Sequence, residues 1–381
     1  MNKTPMNHII ISGYYGFGNL GDEALLTALL QIFSSLWPHA RFTVLSGDPQ
    51  RTSSEHGVSA VSRSDFRTLR ALLKQPDTAF ISGGGTLFQD VTSSRSLYYY
   101  LSLLLLCHRY NVPTVVYGQG VGPFRHSWNR YLTGLVLKQV KLMVVRETEA
   151  YNSVLQWGFV NQKQLVLGAD PVLALKSLVK EGPNLREELG LSEKPQDKVL
   201  LVCPRPGSGL SANLKLIAAC LDEIMHKGWQ VVLLPFQYDL DYPICRQIAD
   251  SMDNAPAVWD KPLTVEEALL LVGQADYCLG MRLHSLVFAG LWGIPMVGLV
   301  YDPKVENFLR ELGLEKFAFP LNRVWDIGVP ERLLAVLMHI AQDEQAIKTQ
   351  IQVKVSALKK RLERANSKLT LSLTHIAGEG K

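Results

Sequence analysis

The feature that most constrains the fold of this 381-residue chain is a repeated alternation of short apolar runs with longer helical runs. His8–Ser12, Ala79–Ser82 and Thr114–Tyr117 have the length and apolar content of buried strands, and glycine follows each of them. Between such runs, segments like Asp22–Leu36 place apolar residues at helical spacing. Alternating elements of this size predict a parallel sheet with helices on both faces.

The alternation occurs twice along the chain. Lys180–Lys198 is polar and reads as a linker, and a second series begins at the apolar run Val199–Cys203. A chain of this length is also too long for one ordinary core. We therefore predict an α/β protein with two Rossmann-like doubly wound domains facing each other across a cleft. They cover residues 1–178 and 199–340, and a helical tail, 341–381, is expected to pack back on the first.

Composition excludes several classes of function. A net charge of +4 is too small for the dense basic face of a nucleic-acid-binding protein. The five cysteines are scattered without a CxxC pair, and neither HxH nor HExxH occurs, so we expect reduced thiols and no metal site. The longest apolar run, Tyr98–Cys107, has about half the length of a membrane-spanning helix, and Met1–Ile11 lacks the features of a signal peptide. These features predict a cytoplasmic protein.

Three glycine-rich turns follow strands of the first domain, at Gly13–Gly21, Gly83–Gly85 and Gly118–Gly122. Ligands of open parallel sheets bind outside the carboxyl ends of the strands, and glycine lets the backbone approach them closely. The turns therefore predict the floor of a binding site, although glycines that merely close βα turns are the alternative. The candidate ligand-binding residues in these turns, or directly after them, are Gly16, Asn19, Asp22, Gly84, Gly85 and Gln119.

Gly16–Gly21 also matches the dinucleotide fingerprint GxGxxG between a strand and a helix. Asp22 and Glu23, however, fall in the first helical turn, where a pyrophosphate would need free N–H groups and the positive end of the helix dipole. No Lys-Ser/Thr pair follows the loop, which excludes a Walker A motif. The pattern therefore favours a loop that shapes a site over a loop that binds a dinucleotide.

A chemical centre is predicted at Arg282-Leu283-His284, between the strand Tyr277–Leu279 and a helix that starts at Ser285. Arginine offers a bidentate fork for carboxylate or phosphate, and histidine transfers protons near neutral pH. Together with Ser285 and the N–H groups of the helix N-terminus, these residues can hold and protonate an anion. The alternative is a capping histidine beside an arginine in a surface ion pair.

Three further cations lie at the carboxyl ends of predicted strands: Arg146 ends its strand, and Arg205 and Lys304 follow theirs. With Arg282 they predict a pocket for a small, doubly charged anion. Their alternatives are ordinary ones: an ion pair of Arg146 with a neighbouring glutamate, and a solvated loop for Lys304. Asp170, which precedes a proline, is expected to form a turn.

Several ordered segments of the chain resemble the polysaccharide pyruvyltransferases, especially the bacterial branch that modifies cell-wall polysaccharide. The segments are Gly13–Ala24, Ile81–Asp90, Gly118–Pro123, Val145–Glu147, Gly168–Pro171 and Arg282–Ser285. The resemblance implies a glycosyltransferase-B-like fold and an enzyme that needs no cofactor. Its donor would be phosphoenolpyruvate, and its product a 4,6-linked pyruvate ketal on N-acetylmannosamine of a lipid-linked precursor. The resemblance also implies that the product belongs to a wall polymer on which surface-layer proteins dock.

The resemblance places Arg146, His284 and Lys304 in the active site, with Arg282 in the same motif. Our hypothesis is that His284 is the general acid/base and that the cations hold the donor, with carboxylate and phosphate not assigned to particular residues. A lipid-linked acceptor would bring the protein to the inner membrane face, and the basic tail from Lys354 to Lys368 offers one contact, although a solvated helix face is favoured there. Rival interpretations are a nucleotide-sugar glycosyltransferase of the same fold and a non-catalytic NAD-type dinucleotide-binding or sugar-binding protein.

Overall fold

The computed structural model describes residues 6–175, 182–194, 196–321, 324–326 and 328–374. The chain divides into two compact units, of which unit 1 comprises residues 1–17, 22–175 and 358–381, and unit 2 comprises residues 18–21 and 176–357. The predicted domain boundary at residue 178 lies outside the described residues, as do Lys180, Glu181 and Pro195 of the predicted linker.

Unit 1 is built on a seven-stranded parallel sheet. Its strands are β1 (His8–Tyr15), β2 (Arg41–Ser46), β3 (Ser59–Ser62), β4 (Thr78–Gly83), β5 (Thr114–Gln119), β6 (Leu142–Val145) and β7 (Leu165–Leu167). They are arranged in the order β3-β2-β1-β4-β5-β6-β7. All residues of β4, β5 and β6 are buried, because helices cover both faces of the sheet.

The helices of this part of the chain follow the strands in regular alternation. They are α1 (Leu20–Leu36), α2 (Pro49–His56), α3 (Phe66–Leu73), α4 (Ser94–Arg109), α5 (Ser127–Leu137) and α6 (Thr148–Trp157), with a 3-10 turn at Pro171–Ala174. Side chains cap several of them. Asp48, Asp65 and Ser93 accept N–H bonds at the starts of α2, α3 and α4.

Unit 2 contains a six-stranded parallel sheet in the order β10-β9-β8-β11-β12-β13. Its strands are β8 (Val199–Cys203), β9 (Gln230–Leu233), β10 (Ala257–Val258), β11 (Tyr277–Gly280), β12 (Met296–Val300) and β13 (Ala318–Pro320). Its helices are α7 (Leu185–Glu188), α8 (Ser208–His226), α9 (Tyr238–Ala249), α10 (Val265–Gly273), α11 (Leu283–Trp292), α12 (Pro303–Glu311) and α13 (Val329–Gln342). A short 3-10 turn lies at Glu315–Phe317.

The predicted helical tail is a long helix, α14 (Glu344–Thr374), that begins in unit 2 and ends in unit 1. Its buried residues recur every three or four positions, which forms one apolar stripe. The stripe consists of Ile347, Ile351 and Val355 in unit 2 and of Leu358, Leu362, Ala365, Leu369 and Leu373 in unit 1. The apolar face of this helix is therefore used for packing inside each unit.

The predicted fold class is confirmed, and its doubly wound topology defines where ligands bind. In each sheet the strand order reverses at one point, between β1 and β4 in unit 1 and between β8 and β11 in unit 2. Open α/β sheets bind ligands outside the carboxyl ends of the strands at this switch point. None of the described helices combines the length and hydropathy needed to cross a bilayer. All five cysteines are free and buried.

Candidate functional site

The switch point of unit 2 carries two of the predicted cations. Gly280 at the end of β11 pairs with Cys203 at the end of β8, so the loops that follow these strands start side by side. Arg205 lies in the loop after β8, and Arg282 lies between β11 and α11. The fold therefore brings both arginines to the edge of the sheet where a ligand is expected.

The Arg282 guanidinium is bound by other side chains of the protein. Its Nε donates to Asp241 Oδ2 at 2.9 Å, and its Nη2 contacts the other Asp241 oxygen and donates to Gln237 Oε1 at 3.3 Å. Asp241 is completely buried and also accepts the backbone N–H groups of Phe236 and Gln237. The ion pair expected at the surface as the alternative is therefore found in a buried form. The fork is filled by a buried carboxylate that compensates its charge.

The same arginine begins the helix that carries His284. Arg282 is the N-cap residue of α11, and its carbonyl oxygen accepts the Ser285 hydroxyl at 2.6 Å. Ser285, a predicted ligand-binding residue, is fully buried, and its side chain closes the first turn of the helix. The Arg282–Asp241 pair and the Ser285 hydroxyl together fix the turn from which the half-buried His284 projects.

Gly21, the last glycine of GxGxxG, lies against the His284 ring. A Cβ atom built on Gly21 would be 2.1 Å from His284 Nδ1, so no larger residue fits without displacing the imidazole. Neighbouring residues hold the loop: the Leu20 N–H donates to the Phe236 carbonyl at 3.0 Å, and Asn19 Oδ1 accepts the Gly21 N–H at 3.1 Å. A close approach to the imidazole thus explains the glycine without a dinucleotide.

Arg205 and Lys304 share one aromatic ring. The Arg205 guanidinium lies 4.4 Å from the centroid of the Tyr301 ring, and Lys304 Nζ lies 5.4 Å from it. Arg205 follows β8, whereas Tyr301 and Lys304 follow β12, and β11 lies between these two strands. Asp302 caps α12 through the Lys304 N–H and lies 3.5 Å from Lys304 Nζ. Two cations therefore flank the strand end that carries His284.

Arg146 in unit 1 is also paired. Its Nε contacts Glu147 at 2.8 Å, its Nη1 contacts Asp170 at 3.2 Å, and its Nη2 donates to Thr86 Oγ1 at 3.3 Å. These side chains are buried except for that of Thr86, so the expected alternative of a surface ion pair is found in a buried form. Asp170 additionally caps the 3-10 turn through the Val172 N–H, as predicted for a turn former.

The glycine turns of unit 1 are joined to each other by backbone bonds. The Gly120 N–H donates to the Gly85 carbonyl at 2.8 Å, and Gln119 Oε1 accepts the Leu87 N–H at 3.2 Å. Gly84 and Gly85 have φ angles of 71° and 77°, in the region that favours glycine. The Gln119 side chain is fully buried, so its amide oxygen holds the loop at Leu87 from inside the protein.

Glu23 fills the place that a pyrophosphate would need. Gly16, with a φ angle of 78°, donates its N–H to Glu23 Oε1 at 2.9 Å. Asp22 belongs to the same first turn of α1, and its Oδ1 lies 3.6 Å from a Cβ atom built on Gly85. Carboxylates thus occupy the amino end of this helix, in agreement with the sequence argument against dinucleotide binding.

Comparison with known proteins identifies the family of this chain. The sequence profile described as polysaccharide pyruvyl transferase matches residues 19–303. The chain belongs to the polysaccharide pyruvyl transferase family. It is also 23% identical over 292 residues to the amylovoran biosynthesis protein AmsJ of Erwinia amylovora, which covers 72% of this chain and 69% of AmsJ. The protein is therefore a pyruvyl transferase of polysaccharide biosynthesis.

Solved structures confirm the glycosyltransferase-B-like fold of this pyruvyl transferase. A glycosyltransferase from Rickettsia africae has a TM-score of 0.65 at 10% identity, over 100% of both chains. UDP-GlcNAc 2-epimerase from Neisseria meningitidis, bound to UDP-GlcNAc, has a TM-score of 0.60 at 12% identity, over 94% of this chain and 100% of the epimerase. At these identities the likeness concerns the fold alone.

An exposed aromatic pair in the pyruvyl transferase was missed by sequence reasoning. Tyr14 and Phe17 stack with their ring centroids 4.2 Å apart, and both are more than one-third exposed. The Arg63 guanidinium lies 5.4 Å from the Phe17 ring. Tyr15, between them, is buried, which raises the pKa of its phenol well above the usual value, and its hydroxyl donates to the Gly83 carbonyl at 2.7 Å. The only sequence signal was the aromatic content of Gly13–Phe17.

One group of side chains in unit 1 has the composition of a metal-binding site. Glu23, Glu55 and His56 are the group found in the described part of the chain, with ligand atoms within 4.8 Å of one another. Their oxygens also have other partners, because Glu23 Oε1 accepts the Gly16 N–H and Glu55 pairs with Arg51. The sequence search for HxH and HExxH could not detect this group.

Proposed function

We propose that this pyruvyl transferase uses phosphoenolpyruvate as its donor and N-acetylmannosamine of a lipid-linked cell-wall precursor as its acceptor. The product is a 4,6-ketal, phosphate is released, and no cofactor takes part. The observation that carries the proposal is the pair of cations on Tyr301, which flanks the strand end bearing His284.

The charges at this edge suit a small dianion. Arg205 has no carboxylate partner among the described residues. Lys304 Nζ lies 3.5 Å from Oδ2 of the partly exposed Asp302. Arg282, in contrast, is balanced by Asp241. Phosphoenolpyruvate carries a carboxylate and a phosphate, and cations fixed by packing stabilise such charge without reorganisation. We therefore assign donor binding first to Arg205 and Lys304 and give Arg282 a positioning role.

The reaction requires one proton delivery and two hydroxyl attacks. Protonation of the donor's methylene carbon creates a methyl group and a cationic carbon at C2. One sugar hydroxyl attacks this carbon and loses its proton. The second hydroxyl then displaces phosphate from the same carbon, and its proton leaves with the phosphate. We assign the proton transfers to His284, because general acid–base catalysis requires a titratable group fixed at the reacting atoms.

Unit 1 is assigned to the acceptor. Its glycine turns place backbone groups, without side chains, at the carboxyl edge of the sheet. The stacked Tyr14–Phe17 pair offers an aromatic surface for the apolar face of a sugar ring. Arg146 is held by Glu147, Asp170 and Thr86, which supports a role in fixing the turn between β4 and α4. The rival dinucleotide interpretation is weakened by Glu23 at the Gly16 N–H.

The test is phosphate release from phosphoenolpyruvate with a synthetic N-acetylmannosamine-terminated lipid acceptor, followed by mass spectrometry of the product. His284→Gln should lower kcat by about 10²-fold or more, the usual contribution of a general acid/base. His39→Gln, at an exposed histidine outside the site, is the matched control and should keep wild-type turnover. Lys304→Ala should chiefly raise KM for the donor. Turnover with a UDP-sugar instead of phosphoenolpyruvate would refute the donor assignment.

A further inference from the structure

One surface of unit 1 combines exposed aromatic and aliphatic side chains with positive charge. On α5, Trp128, Tyr131 and Leu135 are 63%, 47% and 38% exposed, and their spacing places them on one helix face. On the outer side of α4, Tyr98 and Leu105 are exposed to a similar degree. We call these five residues the α4–α5 face.

The two helices form one continuous surface. The Tyr98 hydroxyl donates to Asn129 Oδ1 at 2.8 Å, which joins α4 to the first turn of α5. The Trp128 and Tyr131 rings stack with centroids 5.8 Å apart, and Tyr131 also meets Phe159 edge-on. The aromatic side chains are therefore held in place, although a large part of each faces solvent.

The stretch of chain that carries the α4–α5 face has charged side chains of one sign. Between Asp90 and Glu147 the sequence contains no aspartate or glutamate. The exposed cations of this stretch are Arg95, Arg109, Arg125, Arg130, Lys138 and Lys141. The whole chain, in contrast, has 39 basic and 35 acidic residues, so positive charge is concentrated on α4, α5 and their loops.

The loop that begins α5 is tied to the glycine turn of the candidate acceptor site. Asp90 follows that turn, and its buried carboxylate accepts the N–H groups of Arg125 and His126 and the Asn129 amide. The Gly122 N–H donates to the Phe88 carbonyl at 2.8 Å. The exposed Trp128 is thus fixed to the same loop as Gly84 and Gly85.

We propose that the α4–α5 face docks on a bilayer rich in anionic phospholipid. Tryptophan and tyrosine favour the headgroup level of a bilayer, and surrounding lysine and arginine residues are attracted to anionic lipid. A second copy of the chain is a poorer occupant, because a symmetric dimer would oppose two faces of like charge. The purpose of docking rests on the lipid-linked acceptor proposed above. The proposal assigns the membrane contact to the α4–α5 face and not to α14, whose apolar stripe is buried.

The test is co-sedimentation of the full chain with vesicles of phosphatidylcholine alone or mixed with phosphatidylglycerol. We expect binding to the anionic vesicles only, and its loss in about 1 M salt, where the Debye length is about 3 Å. Arg125→Gln combined with Arg130→Gln should weaken binding about 30-fold, because each cation near an anionic surface contributes roughly a five- to sixfold factor. Trp128→Ala combined with Tyr131→Ala should weaken it about tenfold or more.

Two matched double variants serve as controls. Arg67→Gln with Arg70→Gln removes the same charge from exposed positions of α3, and Leu240→Ala with Val353→Ala removes apolar side chains of comparable exposure elsewhere. Both should bind vesicles like the wild type, and all variants should keep the wild-type unfolding temperature. Equal loss in the α3 variant, wild-type binding by the Trp128/Tyr131 variant, or a dimer that dissociates in that variant on ultracentrifugation would each overturn the proposal.

The assay uses neither donor nor acceptor, so it is independent of the reaction. Vesicle binding without phosphate release would refute the proposed function and leave the docking surface in place. Phosphate release from a soluble acceptor without vesicle binding would refute the docking surface and leave the proposed function in place.

Discussion

The buried pair Arg282–Asp241 allows a stability effect to be worked out from the structure. Asp241→Ala removes both carboxylate oxygens that accept from the Arg282 guanidinium and leaves that charge about nine-tenths buried without its counterion. Breaking a buried ion pair from one side costs about 3–5 kcal/mol. The Phe236 and Gln237 N–H groups also lose their acceptor, so we expect a value of about 4 kcal/mol or more.

The assay is urea denaturation together with hydrogen exchange measured by mass spectrometry. Because the chain has two units, the exchange data identify the one that is destabilised. Protection should fall in peptides from α9 and α11 and stay unchanged in α4. Turnover should also fall, because α11 carries His284 in its first turn.

A control at the carboxyl end of the same helix tests whether burial is the cause. Asp250 pairs with Arg246 at the surface, with 68% of the aspartate side chain exposed. Asp250→Ala should change stability by no more than about 0.5 kcal/mol. A second variant, Asp241→Leu with Arg282→Met, should be more stable than Asp241→Ala, because it leaves no buried charge unpaired. A cost below about 1 kcal/mol for Asp241→Ala would refute the reasoning.

Three further predictions concern the glycine loop, an acidic anchor and the thiols. Gly21→Ala should lower kcat at least about tenfold with unchanged circular dichroism, because its methyl group would displace the His284 ring. Burial opposes ionisation of Asp90, but hydrogen bonds from Asn129 and two backbone N–H groups hold its pKa below the usual 3.8. Its ionised form therefore stabilises the fold above pH 3.8, and the gap in unfolding temperature between wild type and Asp90→Asn should be full at pH 7 and shrink as the pH falls through and below that value. Burial raises the pKa of the Cys107 and Cys220 thiols to about 12, so iodoacetamide at neutral pH should label them only after denaturation.

Each of these predictions has an outcome that contradicts it. Gly207→Ala, where an added Cβ meets no atom within 4 Å, should keep turnover, and an equal loss there would show that any added methyl group is harmful. For Asp90, a gap in unfolding temperature that is as large at low pH as at pH 7 would exclude the carboxylate as its source. Rapid labelling of native Cys107 would show that unit 1 opens around α4.

The fold was predictable because its signals are local and repeated. The strands His8–Ser12 and Val199–Cys203 are short, largely apolar runs; the second was predicted with its exact bounds, and the first extends three residues further, to Tyr15. α5 was missed, because Gly134 and the short polar segment before it are not typical of a helix. α9 was missed as well, since Pro243 interrupts its pattern although the helix continues through it.

The candidate site was predictable only in part, for a physical reason. Strand ends identify which cations reach the edge of the sheet, so Arg205, Arg282 and Lys304 were found. Whether such a cation remains available depends on its partner, and Asp241 lies on a different helix 41 residues earlier in the chain. A sequence pattern shows that a residue carries charge, but the folded protein decides what compensates that charge.

The divided sequence of unit 1 has a consequence for its biosynthesis. Its sheet is made from residues that are synthesised before nearly all of unit 2, yet Leu362, Ala365 and Leu369 of α14, which complete its interior, are synthesised after unit 2. Unit 2 lies almost entirely between these segments and has all its residues available earlier. During translation, the sheet of unit 1 is therefore synthesised before unit 2 but is completed only after it. Its apolar interior lacks the residues of α14 while unit 2 is synthesised.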